Sequence, residues 1–172
     1  MAHSSQIFGG FQASPSLPDG TKLRMVFSPV PLARIGFNIP VVISAPVPPS
    51  DPEQDAPSEV KSATVMAHFD TGASITSIDE SLAEHLGLVP IGVGISHTAG
   101  GETQTSNYVI DLSFPNSKLS PFSNLRISSC KLGYDISGKA SPQNFGLLLG
   151  RDVMTRWNIV WNGPTSSVFI SD

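Results

Sequence analysis

Chain breakers set the first limit on what this sequence can become. The 172 residues include 15 glycines and 15 prolines. Proline removes a backbone donor and clashes inside a helix, and glycine weakens helix and strand interiors alike. Charged residues make up only 14%. A helical bundle or coiled coil needs polar faces rich in Glu, Lys and Arg, so both are disfavoured. Frequent breakers with few charges predict an all-β, strand-and-turn protein. The 40% hydrophobic content supplies a core and argues against wholesale disorder.

Charge and special residues exclude further classes. Lys and Arg number 10 against 14 Asp and Glu, giving a net charge of −4. With no basic run, nothing marks a nucleic-acid surface. No apolar run approaches the ~20 residues that span a bilayer, so no membrane partner is expected. The first ten residues carry no basic region followed by an apolar stretch, so no secretory signal is expected. Cys130 is the sole cysteine. It can form no intrachain disulfide, which favours a reducing, cytoplasmic location. His3, His68, His85 and His97 are scattered, and none sits at the spacing of a paired metal ligand. Neither metal nor cofactor is expected.

Residues 1–35 are mixed and read as an N-terminal extension, either a prosegment or an extra strand, with a short strand within 21–27. Residues 36–172 form the main domain. Residues 39–44 are β-branched and read as a strand, with Pro40 demoting its start to an edge or strand entry. The segment 45–59 holds five prolines and four acids and reads as an exposed loop. Residues 60–69 resume as a strand. Residues 77–87 predict a helix: Ser77 and Glu80 match a capping box, Ile78, Leu82 and Leu86 share one face, and Gly87 stands past the end. Residues 92–114 predict a hairpin turning at Gly100-Gly101. On its return strand Tyr108, Ile110, Leu112 and Phe114 alternate with polar neighbours. Strands are expected at 125–132, 145–149, 159–161 and 167–171, with a short helix over 151–157.

Three of these features carry chemistry. The strand over 60–69 runs directly into Asp70-Thr71-Gly72-Ala73-Ser74. The hairpin presents Thr98, Ala99, Gly100 and Gly101 at its tip. The buried run Leu147-Leu148-Leu149 continues into Gly150-Arg151-Asp152. In this order the three resemble the retropepsin-like aspartic proteases over roughly residues 36–172. The resemblance implies a closed acid-protease barrel with a flap hairpin and one or two short helices, working as a homodimer on an extended peptide. It implies that Asp70 is catalytic and that Thr71 braces the paired loops. It further implies that Gly72 turns the backbone and offers its N–H to the carboxylate, while Ala73 and Ser74 floor the site. Thr98 to Gly101 would close over the substrate. Leu148, Leu149, Gly150, Arg151 and Asp152 would lie behind the site, Arg151 tethering its helix to the loop.

Elementary chemistry agrees with that reading. Metal-free peptide hydrolysis without a covalent intermediate needs one group to take a proton from water and another to give one to the amide. Two adjacent carboxylates sharing one proton can do both, and their pKa values then belong to the pair. This chain has one such loop. Asp135-Ile136-Ser137-Gly138 carries an intervening residue and follows no apolar strand. The second aspartate must therefore come from a partner, most simply a symmetry mate in a C2 dimer. The resulting expectation is an aspartic endopeptidase that activates water between Asp70 and its counterpart.

Two positions depart from the family pattern. Ser74 stands where retroviral members often carry an acid that pairs with the arginine, so Asp79 or Asp152 is expected to serve Arg151. His68, two residues before Asp70, stands where the family is aliphatic. It is read either as edging the substrate cleft or as a half-buried histidine with a backbone hydrogen bond. Plainer readings stand beside each motif. Asp70-Thr71-Gly72 can be a surface turn and Gly100-Gly101 a simple hairpin turn. Cys130 is read as a small buried hydrophobe. The alternative at the level of function is a catalytically silent dimerisation or peptide-binding module.

Overall fold

The computed structural model describes residues 5–9, 11–13, 25–27, 30–46, 60–98, 100–115, 117–137 and 144–172. The proline-rich segment 47–59 and Ala99 lie outside the described residues, as do residues 21–24 of the strand expected near Lys22. The elements in chain order are β1 (Ser5–Gly9), β2 (Phe11–Ala13), β3 (Met25–Phe27), α1 (Val30–Ile35), β4 (Asn38–Ser44), β5 (Ser62–Phe69) and β6 (Ser77–Asp79). They continue with α2 (Glu80–His85), β7 (Gly92–Thr98), β8 (Gly101–Ser113), β9 (Phe122–Cys130), β10 (Phe145–Leu149), α3 (Arg151–Met154), β11 (Asn158–Asn162) and β12 (Ser167–Ser171).

Six strands close a barrel in the order β4-β5-β10-β6-β9-β8, with β8 returning to pair with β4. The all-β expectation and its closed barrel with short helices therefore stand. β10 runs parallel to β5 and antiparallel to β6, while β6 runs parallel to β9. The consequence is local and decisive for the site. β10 is wedged between the two strands that flank residues 70–76. β8 pairs with β4 only over Val42–Ser44 in β4, leaving Pro40 opposite Met66 of β5 alone. That open side is where a residue lacking an N–H is tolerated.

Alternation fills the barrel. Ile39, Val41 and Ile43 of β4, Ala67 of β5, Ile110 and Leu112 of β8, and Leu147 and Leu149 of β10 are fully or almost fully buried. Each large aliphatic side chain so buried contributes about 1.5–3 kcal/mol relative to exposure. A ring cluster closes the end of the barrel below Asp70. Phe69 lies with its centroid 4.5 Å from Phe37 and stacks on Trp157 at 6.0 Å, and Trp157 meets Phe114 edge-on at 5.2 Å. The residue before the motif is thus anchored by aromatic packing.

The helix expected over 77–87 is shorter than its pattern. Ser77–Asp79 is strand β6, and only Glu80–His85 is helical. Ser77 is not the cap; its hydroxyl sits 2.8 Å from that of Ser128 on β9. Asp79 caps instead, accepting from the Ser81 N–H at 2.9 Å. The apolar spacing is nonetheless real, since Ile78, Leu82 and Leu86 are all buried. Strand pairing on both sides of Ser77 overrides the local helical signal.

β1 pairs antiparallel with β12, which pairs with β11, forming a separate three-stranded sheet. β2 pairs with β3. Among the described residues no helix is long and apolar enough to cross a membrane.

Candidate active site

The loop after β5 begins with a handover between strands. The Asp70 N–H donates to the Leu149 carbonyl at 3.0 Å, extending the β5–β10 pairing by one bond. The Ala73 N–H then turns back to the Asp70 carbonyl at 3.1 Å. The Gly72 N–H donates to Asp70 Oδ1 at 2.8 Å. A charge-assisted bond of this kind fixes which way the carboxylate points. The chain turns at Thr71-Gly72 without Gly72 taking a positive φ. Its missing side chain matters for proximity: a Cβ there would stand 3.0 Å from Asp70 Oδ1.

Residues behind the loop hold it from below. Arg151 donates its main-chain N–H to the Ala73 carbonyl at 3.0 Å. Its guanidinium Nη1 donates to the carbonyls of Thr71 at 2.7 Å and Gly72 at 3.2 Å. The expected carboxylate partner, Asp79 or Asp152, is therefore replaced by main-chain oxygens of the loop itself. Asp152 bonds elsewhere, receiving the Thr76 N–H at 3.0 Å and its hydroxyl at 2.8 Å. Thr76 Oγ1 in turn accepts the Gly150 N–H at 3.0 Å. Gly150 has no room for a side chain. A Cβ would lie 2.5 Å from the Ile75 carbonyl carbon and 2.7 Å from the Thr76 nitrogen.

A cleft of about 690 Å³ extends from Asp70 beneath β7. Gly72, Ala73, Ser74 and Leu148 line it near the carboxylate, and Thr98 lines it from the hairpin. Leu149 and Gly150 are buried behind. At the hairpin tip the Gly100 N–H donates to Thr98 Oγ1 at 3.2 Å, and that hydroxyl donates to the Gly101 carbonyl at 3.0 Å. Gly101 takes φ +110°, a conformation that favours glycine. Among the described residues lining the cleft, Asp70 is the one carboxylate.

The family model described as "Aspartyl protease" matches residues 56–153, more than half of the chain. The chain belongs to the aspartyl protease family. The retropepsin-like resemblance carried by the three motifs is in accord with this membership. Among solved structures, a retropepsin-like aspartic protease from Rickettsia conorii is similar at 13% identity and a TM-score of 0.45. That match covers 98% of this chain and 94% of that one. No curated protein matches the chain.

In this member of the aspartyl protease family, His68 is placed differently from the cleft-edge expectation. It pairs across to Leu148, but the cleft lining stops at Leu148. The ring stacks on Phe145 with centroids 5.0 Å apart, and Nδ1 lies 2.6 Å from Asn38 Oδ1. The partner is thus a side chain, not the backbone. Burial lowers the His68 pKa, with the negative Asp70 pulling the other way. Alternation along β5 does not carry over to Asp70, because Asp70 has already left the strand.

Cys130 is not fully buried; it lines the cleft. Burial, then the charge of Asp79, pushes its thiol up to about 12 against a bond to Ser77. It stays protonated and is no nucleophile. Thr76 and Asn38 were not singled out from the sequence. A buried threonine two residues past the motif, with no apolar pattern of its own, gives only a weak signal.

Proposed function

We propose that the chain is an aspartic endopeptidase acting as a homodimer, in which Asp70 and its counterpart from a second copy share one proton. One carboxylate takes a proton from the water between them, and that water attacks the scissile carbonyl carbon. The other carboxyl donates to the carbonyl oxygen, and a proton then passes to the departing amine. The observation that carries this reading is the oriented Asp70 carboxylate, the one acid among the described residues that line a peptide-sized cleft.

Its setting supports a shared site. Thr71, Gly72 and Ser74 are exposed, so the loop is open to a second loop across an axis. The outer face of the terminal sheet carries Val160 opposite Phe169, both exposed, which is apolar surface for a second copy to cover. The hairpin over the cleft suits a lid that excludes water once peptide is bound.

The test is cleavage of a peptide library at mildly acidic pH by wild type and by Asp70→Asn, with light scattering at micromolar protein. Cleavage by wild type alone, from a dimer, is the expected result. A strict monomer sinks the shared site. Two inert proteins that still bind peptide establish the silent binding module instead.

A further inference from the structure

We propose that the cleft selects a small, uncharged, hydrogen-bonding side chain of the peptide (serine, threonine or asparagine) within two residues of the bond to be cut. This rests on the protease reading for its cleavage site, and on the cleft's own chemistry for its preference.

The argument starts from register. Leu148 of β10 stands opposite Ser77 of β6, Ser77 opposite Ser128 of β9, and Ser128 opposite Asn107 of β8. Directly opposed residues share a face of the sheet, and all four line the cleft. Strands lie about 4.8 Å apart. The row therefore leads from Leu148, the neighbour of the residue that holds the Asp70 N–H, outward through two hydroxyls to an amide. Thr105 and Cys130, two positions along β8 and β9, face the same cleft. Leu148 starts this row, and the apolar lining of the cleft, Ala73, Ile75 and Ile95, comes from the loop and from β7 outside it.

Beside Asn107 and Thr105, β7 contributes backbone only. Gly92 pairs with Asn107 and Gly94 with Thr105, so the β7 residues beside them carry no side chain. A Cβ on Gly94 would stand 3.3 Å from Asn107 Nδ2 and 3.4 Å from Thr105 Oγ1. Any larger residue would sit against these polar groups.

The Ser77 and Ser128 hydroxyls bond to each other at 2.8 Å, and Ser77 lies 3.4 Å from the Ile75 carbonyl. Cys130 also bonds to the Ser77 hydroxyl, so the lone pairs left for a guest lie on Ser128 Oγ, and Asn107 both donates and accepts. An aliphatic guest would strip water from these groups and return no hydrogen bond. A hydroxyl or amide guest replaces the water it displaces, and sites built this way discriminate strongly against the analogue lacking the polar group. The row itself holds no cation; the histidine of the cleft, His97, stands on β7.

The experiment uses peptides that differ at one position in the shape-matched pair threonine and valine, or asparagine and leucine, scanned across four residues on each side of the cut. Wild type is expected to favour threonine over valine in kcat/KM by about tenfold at one position within two residues of the cut. In the double variant Ser77→Ala, Ser128→Ala that ratio should fall to about twofold or less. Asn107→Ala, a separate variant, should erode the asparagine preference. Equal cleavage of every pair, an aliphatic preference, or a ratio unchanged in the variants overturns the inference while leaving the protease reading intact. If wild type cleaves nothing, the affinities of the same peptides decide. Threonine peptide binding about tenfold tighter keeps the polar subsite and removes the protease. No binding at all overturns both.

Discussion

The loop 70–76 is held by hydrogen bonds from β10, from α3 and from within itself, whereas the tip of the β7–β8 hairpin bonds to little beyond its own two strands. The loop's braces end on four consecutive residues, Leu149, Gly150, Arg151 and Asp152, with one more from the Ser128 N–H of β9 to the Thr76 carbonyl at 3.1 Å. The hairpin leaves Val93 and Ile95 exposed, and the contact of His97 with Glu102 at 3.4 Å lies in solvent, where it contributes little. The difference teaches what each side is for. A reacting carboxylate needs a fixed position, and a cover needs to open at low cost.

Substitutions can break this contrast, and the braced side should suffer most. Gly150→Ala forces a side chain against the Ile75–Thr76 backbone, which cannot yield as a flexible side chain would. We expect a loss of about 3 kcal/mol or more, roughly 6–12 °C in Tm by thermal circular dichroism. A change under 2 °C would show that the loop is looser than described. Thr76→Val keeps shape but deprives the buried Gly150 N–H and Asp152 of a partner. It should cost about 1–3 kcal/mol in urea unfolding.

Asp79→Asn tests the same side through pH. Burial pushes the Asp79 carboxyl up, but bonds from Ser81, Leu132 and Tyr134 outweigh it and hold it below the ordinary 3.8. A lowered folded-state value means the stabilisation is fully present above the unfolded value and is lost as pH falls through the folded one. The variant should be less stable than wild type by about 1–2 kcal/mol at pH 7. The gap should close as pH drops below 3.8, read as unfolding midpoints. A gap constant down to pH 2 would contradict it.

The hairpin should show the smallest global effect. Gly101→Ala strains a backbone at φ +110°, costing locally about 1–2 kcal/mol. Because the tip is so weakly coupled to the barrel, Tm should shift by no more than about 2 °C while amide exchange in residues 95–104 accelerates. A large fall in Tm would mean that the hairpin is part of the folded core.

The strands were readable because apolar periodicity reports burial directly. Tyr108, Ile110, Leu112 and Phe114 alternate in the sequence and are all buried. The helix over 77–87 was overextended because Ile78, Leu82 and Leu86 satisfy a four-residue repeat whether or not Ser77 is helical. Only tertiary pairing with Leu148 and Ser128 decides that. Asp70 and its loop were legible as a motif. The partner of Arg151 was not, since main-chain carbonyls have no signature in a sequence and an acid was the natural guess. The polar floor of the cleft was hidden for a related reason: Ser77, Ser128 and Asn107 are far apart along the chain, and register alone makes them neighbours.

That arginine has one more consequence. A guanidinium paired with a carboxylate loses its partner when acid protonates the carboxylate. A guanidinium bonded to the carbonyls of Thr71 and Gly72 has nothing to lose. The Arg151 clasp under Asp70 therefore need not follow the protonation of the site it supports.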